Sequence, residues 1–134
     1  MIVVDSSVWI ANLRNLDHAV VHRLRAIDED DQILVGDLIL LEVLQGARDE
    51  IHANRIERSL RQFEVVAMLN DAPAVQAARN YRLLRQRGVT VCRTIDVIIG
   101  TFCLEHGHVL LHDDRDFLPM VEHLGLQTDS YVQR

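Results

Sequence analysis

Three short runs of consecutive apolar residues, Ile2-Val3-Val4, Ile33-Leu34-Val35 and Val109-Leu110-Leu111, most constrain the fold of this chain. None alternates apolar with polar, so each reads as a buried strand rather than one with a wet face. Between them lie stretches with helical periodicity and helix-start signals. Short apolar strands alternating with helices imply a parallel sheet with helices on both faces. Glu64 to Met68 reads as a further strand, and Gln127 to Val132 as a last edge strand.

The helices follow from caps and spacing. Ser6 or Ser7 can cap a helix through about Arg14. Val20, Val21, Leu24 and Ile27 form one stripe of a helix from about Asp17 to Asp28. Gly36-Asp37 turns the chain into a helix from Leu38 to about Ala47. Glu50 to Gln62 is a more polar helix. Asn70 or Asp71 caps a long helix to about Arg87, stopped by Gly88. Val89-Thr90-Val91 is short and extended. Thr94 caps a helix from Ile95 to Glu105 that ends at His106-Gly107, and Asp116 to His123 is a short helix. With 134 residues and no internal repeat, the chain is expected to form a single domain, 1–134.

Four stretches place carboxylates inside or at the end of apolar segments. Asp5 ends Ile2-Val3-Val4, and Glu42 interrupts Leu38 to Leu44. Asp96 precedes Val97-Ile98-Ile99, while Asp113, Asp114 and Asp116 follow Val109-Leu110-Leu111. A buried, unpaired carboxylate is costly, so such groups pair, protonate or bind a cation. Taken singly, Asp5 can cap a helix, Asp96 can complement a helix dipole, and the last three can form a solvated turn. Glu42 resists such a reading. Every other residue from Leu38 to Leu44 is apolar, so that helix is expected to be largely buried, with Glu42 and Gln45 as a narrow polar stripe. An ion pair with an arginine is its other reading. In a parallel sheet, ligands bind beyond the carboxyl ends of the strands, where all four stretches can converge. Hard oxygen ligands of this kind suit Mg²⁺ or Mn²⁺.

Composition narrows the alternatives. No apolar run reaches the roughly 18 residues of a membrane span, and the N-terminus begins directly with a strand, so a cytoplasmic protein is expected. Cys92 and Cys103 are expected to be reduced core thiols. The seven histidines offer no zinc spacing, although His112 adjoins the aspartates. All 14 basic residues are arginine. A phosphate-binding P-loop, a response-regulator receiver and a haloacid-dehalogenase-type phosphatase all normally use a lysine, so each is disfavoured. The net charge of −6 opposes simple electrostatic binding of nucleic acid, unless metal neutralises the acids or arginines cluster on one face.

Four pieces in this order resemble PIN-domain ribonucleases, most closely the VapC toxins of bacterial toxin–antitoxin pairs. They are Asp5-Ser6-Ser7-Val8-Trp9-Ile10, Leu40-Leu41-Glu42-Val43-Leu44-Gln45-Gly46, Thr94-Ile95-Asp96-Val97-Ile98-Ile99-Gly100, and Leu110-Leu111-His112-Asp113-Asp114-Arg115-Asp116-Phe117. The resemblance implies a PIN-like three-layer α/β/α fold with a central parallel sheet. It implies Mg²⁺- or Mn²⁺-dependent endonucleolytic cleavage of transfer or ribosomal RNA. Its further implications are a homodimer, inhibition by a VapB-type antitoxin, and contact with operator DNA only through that antitoxin. The metal-site acids it implies are Asp5, Glu42, Asp96 and Asp114, with Asp116 as an additional acid. The Asp113-Asp114 doublet leaves the fourth ligand open. Ser6 and Thr94 match supporting hydroxyls, and Gly100 stands where the family often has Ala. Arg55, Arg58 and Arg61, and likewise Arg79, Arg82 and Arg85, lie three apart on a helix and can meet RNA or antitoxin, or simply be solvated. Trp9 reads as core or dimer packing. A catalytically silent regulatory or interaction module on the same fold is the other functional reading.

Overall fold

The computed structural model describes residues 1–90 and 92–130. Five strands form one wholly parallel sheet: β1 (Ile2–Val4), β2 (Ile33–Gly36), β3 (Glu64–Val66), β4 (Val109–His112) and β5 (Thr128–Ser130), in the order β3-β2-β1-β4-β5. The helices are α1 (Ser6–Leu13), α2 (Ala19–Arg25), α3 (Asp37–Gln45), α4 (Glu50–Leu60), α5 (Asp71–Gln86), α6 (Thr94–His106) and α7 (Leu118–Leu124). Short 3-10 turns span Asp30–Gln32 and Arg115–Phe117.

The layering follows from handedness. Right-handed crossovers carry β1 to β2 and β2 to β3 in one direction, then β3 to β4 and β4 to β5 in the other. Helices α1 to α4 therefore pack together on one face, and α5 to α7 on the opposite face. Chain direction across the sheet reverses beside β1, so the crevice between the carboxyl ends of β1 and β4 is its topological switch point. Both strands are central, and Val3, Val4, Leu110 and Leu111 are fully buried, as expected for strands covered on both sides.

Several local expectations shift. Helix α1 is capped by Asp5, whose carboxylate accepts the Ser7 amide, rather than by Ser6 or Ser7. Arg93, not Thr94, is the N-cap of α6, and Thr94 is its first helical residue. The helix expected over Asp17 to Asp28 is shorter, and the one over Asp116 to His123 begins as a 3-10 turn. Helix α3 is not largely buried. Only Ile39 and Val43 are, and Leu41 is 54% exposed, because α3 is flanked by α1 and α4 on one side only. The largely buried helix is instead α6, enclosed from Asp96 to Cys103 apart from Ile98. Its left-handed cap at Gly107 (φ 67°) returns the chain to β4. Of the expected extended segments, Val91 and Val132 lie outside the described residues.

Helix α6 is joined to α5 by a buried polar bridge in which Asn80 Nδ2 donates to Thr101 Oγ1 (2.9 Å). Trp9 is core, its ring 5.4 Å from Phe63. Cys92 and Cys103 are free thiols, and burial pushes Cys103 up to about 12.

Two glycines are pressed by methionines. A Cβ on Gly36 would meet the Met68 side chain along its length, Cγ included, whereas one on Gly100 would meet only the far end of Met120. A thioether tip moves more readily than a whole buried side chain. Chemical denaturation should show Gly36→Ala destabilised by about 1–3 kcal/mol. Gly100→Ala should stay within about 1 kcal/mol of wild type, because the helix-propensity gain offsets the Met120 shift.

Candidate metal centre

Asp5 sits one residue past β1, and its amide donates to the Leu111 carbonyl of β4 (2.9 Å). This bond extends the β1–β4 ladder and brings the ends of both strands side by side. Asp5 is 2% exposed. Its Oδ2 accepts from the Ser7 amide (3.1 Å) and the Ser7 hydroxyl (2.6 Å). The Ser7 hydroxyl in turn accepts the Asp113 amide (3.2 Å), stitching the β4 turn to α1. Asp5 Oδ1 is buried and has no hydrogen-bond partner among the described residues. A buried carboxylate oxygen without a donor calls for a proton, a cation or a bound water.

Glu42 projects from the second turn of α3 and is half-buried. Its Oε1 accepts from the Ser6 hydroxyl (3.1 Å). No arginine pairs with it at ion-pair distance among the described residues, so the expected alternative of a buried ion pair is not what holds it. Burial raises its pKa, Ser6 opposes that rise, and Asp96 adds to it.

Asp96 lies in the first turn of α6 and is 1% exposed. Asp114 follows β4, and its Oδ1 accepts the Asp116 amide (2.9 Å), which shapes the turn that carries both. One carboxylate oxygen from each of Asp96, Asp114 and Asp116 lies within 4.8 Å of the others. The Asp113-Asp114 doublet divides. Asp113 faces His18, with Oδ2 3.6 Å from Nδ1, while Asp114 faces the cluster. His112 is buried, and its Nδ1 accepts the Asp114 amide (3.2 Å), so it supports the turn through the backbone.

Burial pushes Asp5 from 3.8 up to about 6; the Ser7 hydrogen bonds oppose the shift, and the charge of Glu42 adds to it. Burial also pushes Asp96 up to about 6, against the pull of Arg93 and with the push of Asp5 and Asp114. These mutual effects link all four segments into one acidic crevice at the switch point.

Two participants were not singled out from the sequence. Ser7 bridges Asp5 and Asp113, although its neighbour Ser6 was the expected support. Arg93 Nε donates to Asp96 Oδ2 (3.1 Å), Nη2 donates to Asp96 Oδ1 (3.4 Å), and Nη2 is 3.7 Å from Asp114 Oδ2. Its position three residues before Asp96 at a helix start was the available signal. Thr94 is exposed and makes no hydrogen bond to the acids among the described residues. Arg61 pairs with Glu57 (2.6 Å) on α4, whereas Arg55 and Arg58 are exposed.

A family model of the PIN domain matches residues 2–121. The chain belongs to the PIN-domain family. Solved structures similar to this PIN domain include a chain of VapBC2 from Rickettsia felis, bound to a DNA fragment from its promoter. That match has a TM-score of 0.77 and 13% identity, covering 98% of this chain and 99% of that one. A chain of VapBC-1 from nontypeable Haemophilus influenzae matches with a TM-score of 0.74 and 18% identity, covering 98% of each. A chain of FitAcB from Neisseria gonorrhoeae matches with a TM-score of 0.76 and 15% identity, covering 96% of each. At these identities the likeness is one of fold.

The raised carboxyls make a pH prediction for this PIN domain. An acid whose pKa is higher folded than unfolded binds more protons when folded, so stability falls as pH rises between the two values. For Asp5 and Asp96 that window runs from 3.8 to about 6. Without divalent metal, Asp5→Asn removes one such penalty while keeping an acceptor that can cap α1. Its stability relative to wild type should improve by roughly 2–3 kcal/mol between pH 4 and pH 7, read from urea unfolding in EDTA. A difference that does not change with pH would show that Asp5 ionises as easily folded as unfolded.

Proposed function

We propose that this PIN domain is a metal-dependent endoribonuclease and the toxin of a VapBC-type toxin–antitoxin pair. The observation that carries the reading is the gathering of Asp5, Glu42, Asp96 and Asp114 from four segments into one crevice, with Asp116 beside them. The buried Asp5 Oδ1 without a donor, and an all-carboxylate donor set, fit a hard divalent cation. Asp96, Asp114 and Asp116 would hold it most directly, with Asp5 and Glu42 completing the site. A bound Mg²⁺ or Mn²⁺ would supply activation of a water nucleophile and stabilisation of the leaving oxygen of a phosphodiester.

The protein's own part is positioning. Ser7 fixes Asp5 and the turn after β4, while Ser6 orients Glu42. The N-terminus of α6 favours negative charge where Asp96 sits. With no lysine in the chain, general acid or base work by a lysine amine is ruled out. The exposed Arg55 and Arg58 on α4, together with exposed Arg79 and Arg85 on α5, offer phosphate contacts for transfer or ribosomal RNA. Similar solved structures include VapBC2, bound to a DNA fragment from its promoter, VapBC-1 and FitAcB, which supports a VapB-type antitoxin as partner and operator DNA as a target of the pair.

Purified chain freed of antitoxin should cleave RNA with Mg²⁺ or Mn²⁺ and not with EDTA. Asp96→Asn should lower the cleavage rate by about a hundredfold or more with its circular dichroism unchanged. An absence of cleavage with either metal would favour a silent PIN module instead.

We also infer a homodimer. Phe102 adds no surface for one, because it is buried against His106 and His108. A groove of about 470 Å³ between α5 and α6, lined by Leu69, Ala78, Tyr81, Arg82, Thr94 and Ile98, is the surface offered instead. Val75 is exposed one helical turn before Ala78 on α5, and an apolar patch of this kind suits another protein surface. Sedimentation at micromolar concentration should give a dimer, and Val75→Glu should give a monomer. A wild-type monomer would overturn the dimer and leave the acid site standing.

A further inference from the structure

We propose that Arg93 is an internal counter-cation of the acidic crevice, which metal loading displaces from Asp96 and which then serves as a phosphate-binding residue at its rim. The inference rests on the reading of the crevice as a divalent-metal site.

Arg93 is an odd choice for its position. An N-cap favours a short acceptor side chain, and a cation at a helix N-terminus opposes the dipole. Arg93 makes no capping bond to α6. Its side chain turns instead over the first turn of that helix and covers both oxygens of Asp96, while Nη2 also approaches Asp114. Two of the three carboxylates whose oxygens lie within 4.8 Å of one another are thus engaged by one guanidinium. A divalent ion held by Asp96 and Asp114 would draw on the same carboxylate oxygens. Arg93 and the ion therefore compete for these oxygens.

Leaving is easy for this side chain. It is 58% exposed, and its separations of 3.1 and 3.4 Å from Asp96 are long for charge-assisted bonds. Asp96 is buried, but the guanidinium stays largely in water, which screens its hold on the carboxylate. Once released, the fork of donors remains tethered beside Asp96, and guanidinium geometry matches a phosphate. One residue would thus partly neutralise the crevice before metal enters and hold substrate afterwards.

The two roles predict effects of opposite sign, which a merely structural arginine would not produce. Isothermal calorimetry with Mn²⁺ in low salt should show Arg93→Gln binding the metal up to about tenfold more tightly than wild type, since a neighbouring positive charge is removed. The difference should shrink as salt is raised. In saturating Mn²⁺, Arg93→Gln should bind a 2′-O-methyl RNA oligonucleotide several-fold more weakly. Arg93→Lys should keep the wild-type metal affinity and recover only part of the RNA affinity. Equal or weaker Mn²⁺ binding by Arg93→Gln would overturn the counter-cation role, and unchanged RNA affinity would overturn the phosphate role. If neither wild type nor variant binds Mn²⁺ while both melt cooperatively, the metal-site reading itself fails and the inference falls with it.

Discussion

The pairing of β1 with β4 governs this molecule. Val4 lies opposite Leu111, and the Asp5 amide continues the ladder to the Leu111 carbonyl. That register carries Asp5 and the turn of Asp113 to Asp116 to the same edge of the sheet, although more than a hundred residues separate them. Slipping the register by one residue would turn every core side chain of β1 to the other face. The strands are buried on both faces, so either outcome costs packing. The sheet interior thereby enforces a geometry at its edge that the edge carboxylates, repelling one another, would not choose.

That repulsion is managed by small polar groups rather than by extensive ion pairing. Ser6 and Ser7, adjacent in sequence, point to different acids, Glu42 and Asp5, because neighbouring residues in the first turn of α1 diverge by about 100°. Arg93 supplies the nearest full positive charge to Asp96. Even so, burial above all, with a smaller push from neighbouring acids, holds Asp5 and Asp96 near 6. The crevice is built short of positive charge, an electrostatic strain that a divalent cation relieves.

Much of the fold was legible because its determinants are local. Apolar runs without alternation marked β1, β2 and β4, and cap-like residues marked most helix starts to within two residues. Where local reading went astray, competition between equivalent signals was the cause. Asp5, Ser6 and Ser7 are all good caps, and the winner is the one whose backbone leaves β1 extended. Helix α3 looked buried because six of the seven residues from Leu38 to Leu44 are apolar. Its exposure depends on what packs against it, and only tertiary contacts set that. Within the site, Glu42 and Asp96 were conspicuous as charges amid apolar neighbours. Arg93 and Ser7 were inconspicuous, since an arginine or serine at a helix start looks ordinary until its partner is known.

By itself, the amino-acid sequence determined the strand-and-helix alternation, the parallel sheet, and a short roster of acids at strand ends and helix starts. These are consequences of periodicity, β-branching and the cost of stranding charge in apolar surroundings. Only the tertiary structure decided which acids meet. It turned Asp113 toward His18 and Asp114 toward Asp96, drew Arg93 across the crevice, left Thr94 outside it, and buried Phe102 while opening the groove beside Ile98. Each of those outcomes depends on strand register and helix packing between residues far apart in the chain, and distances of that kind are fixed by the close packing of the core rather than by any local pattern.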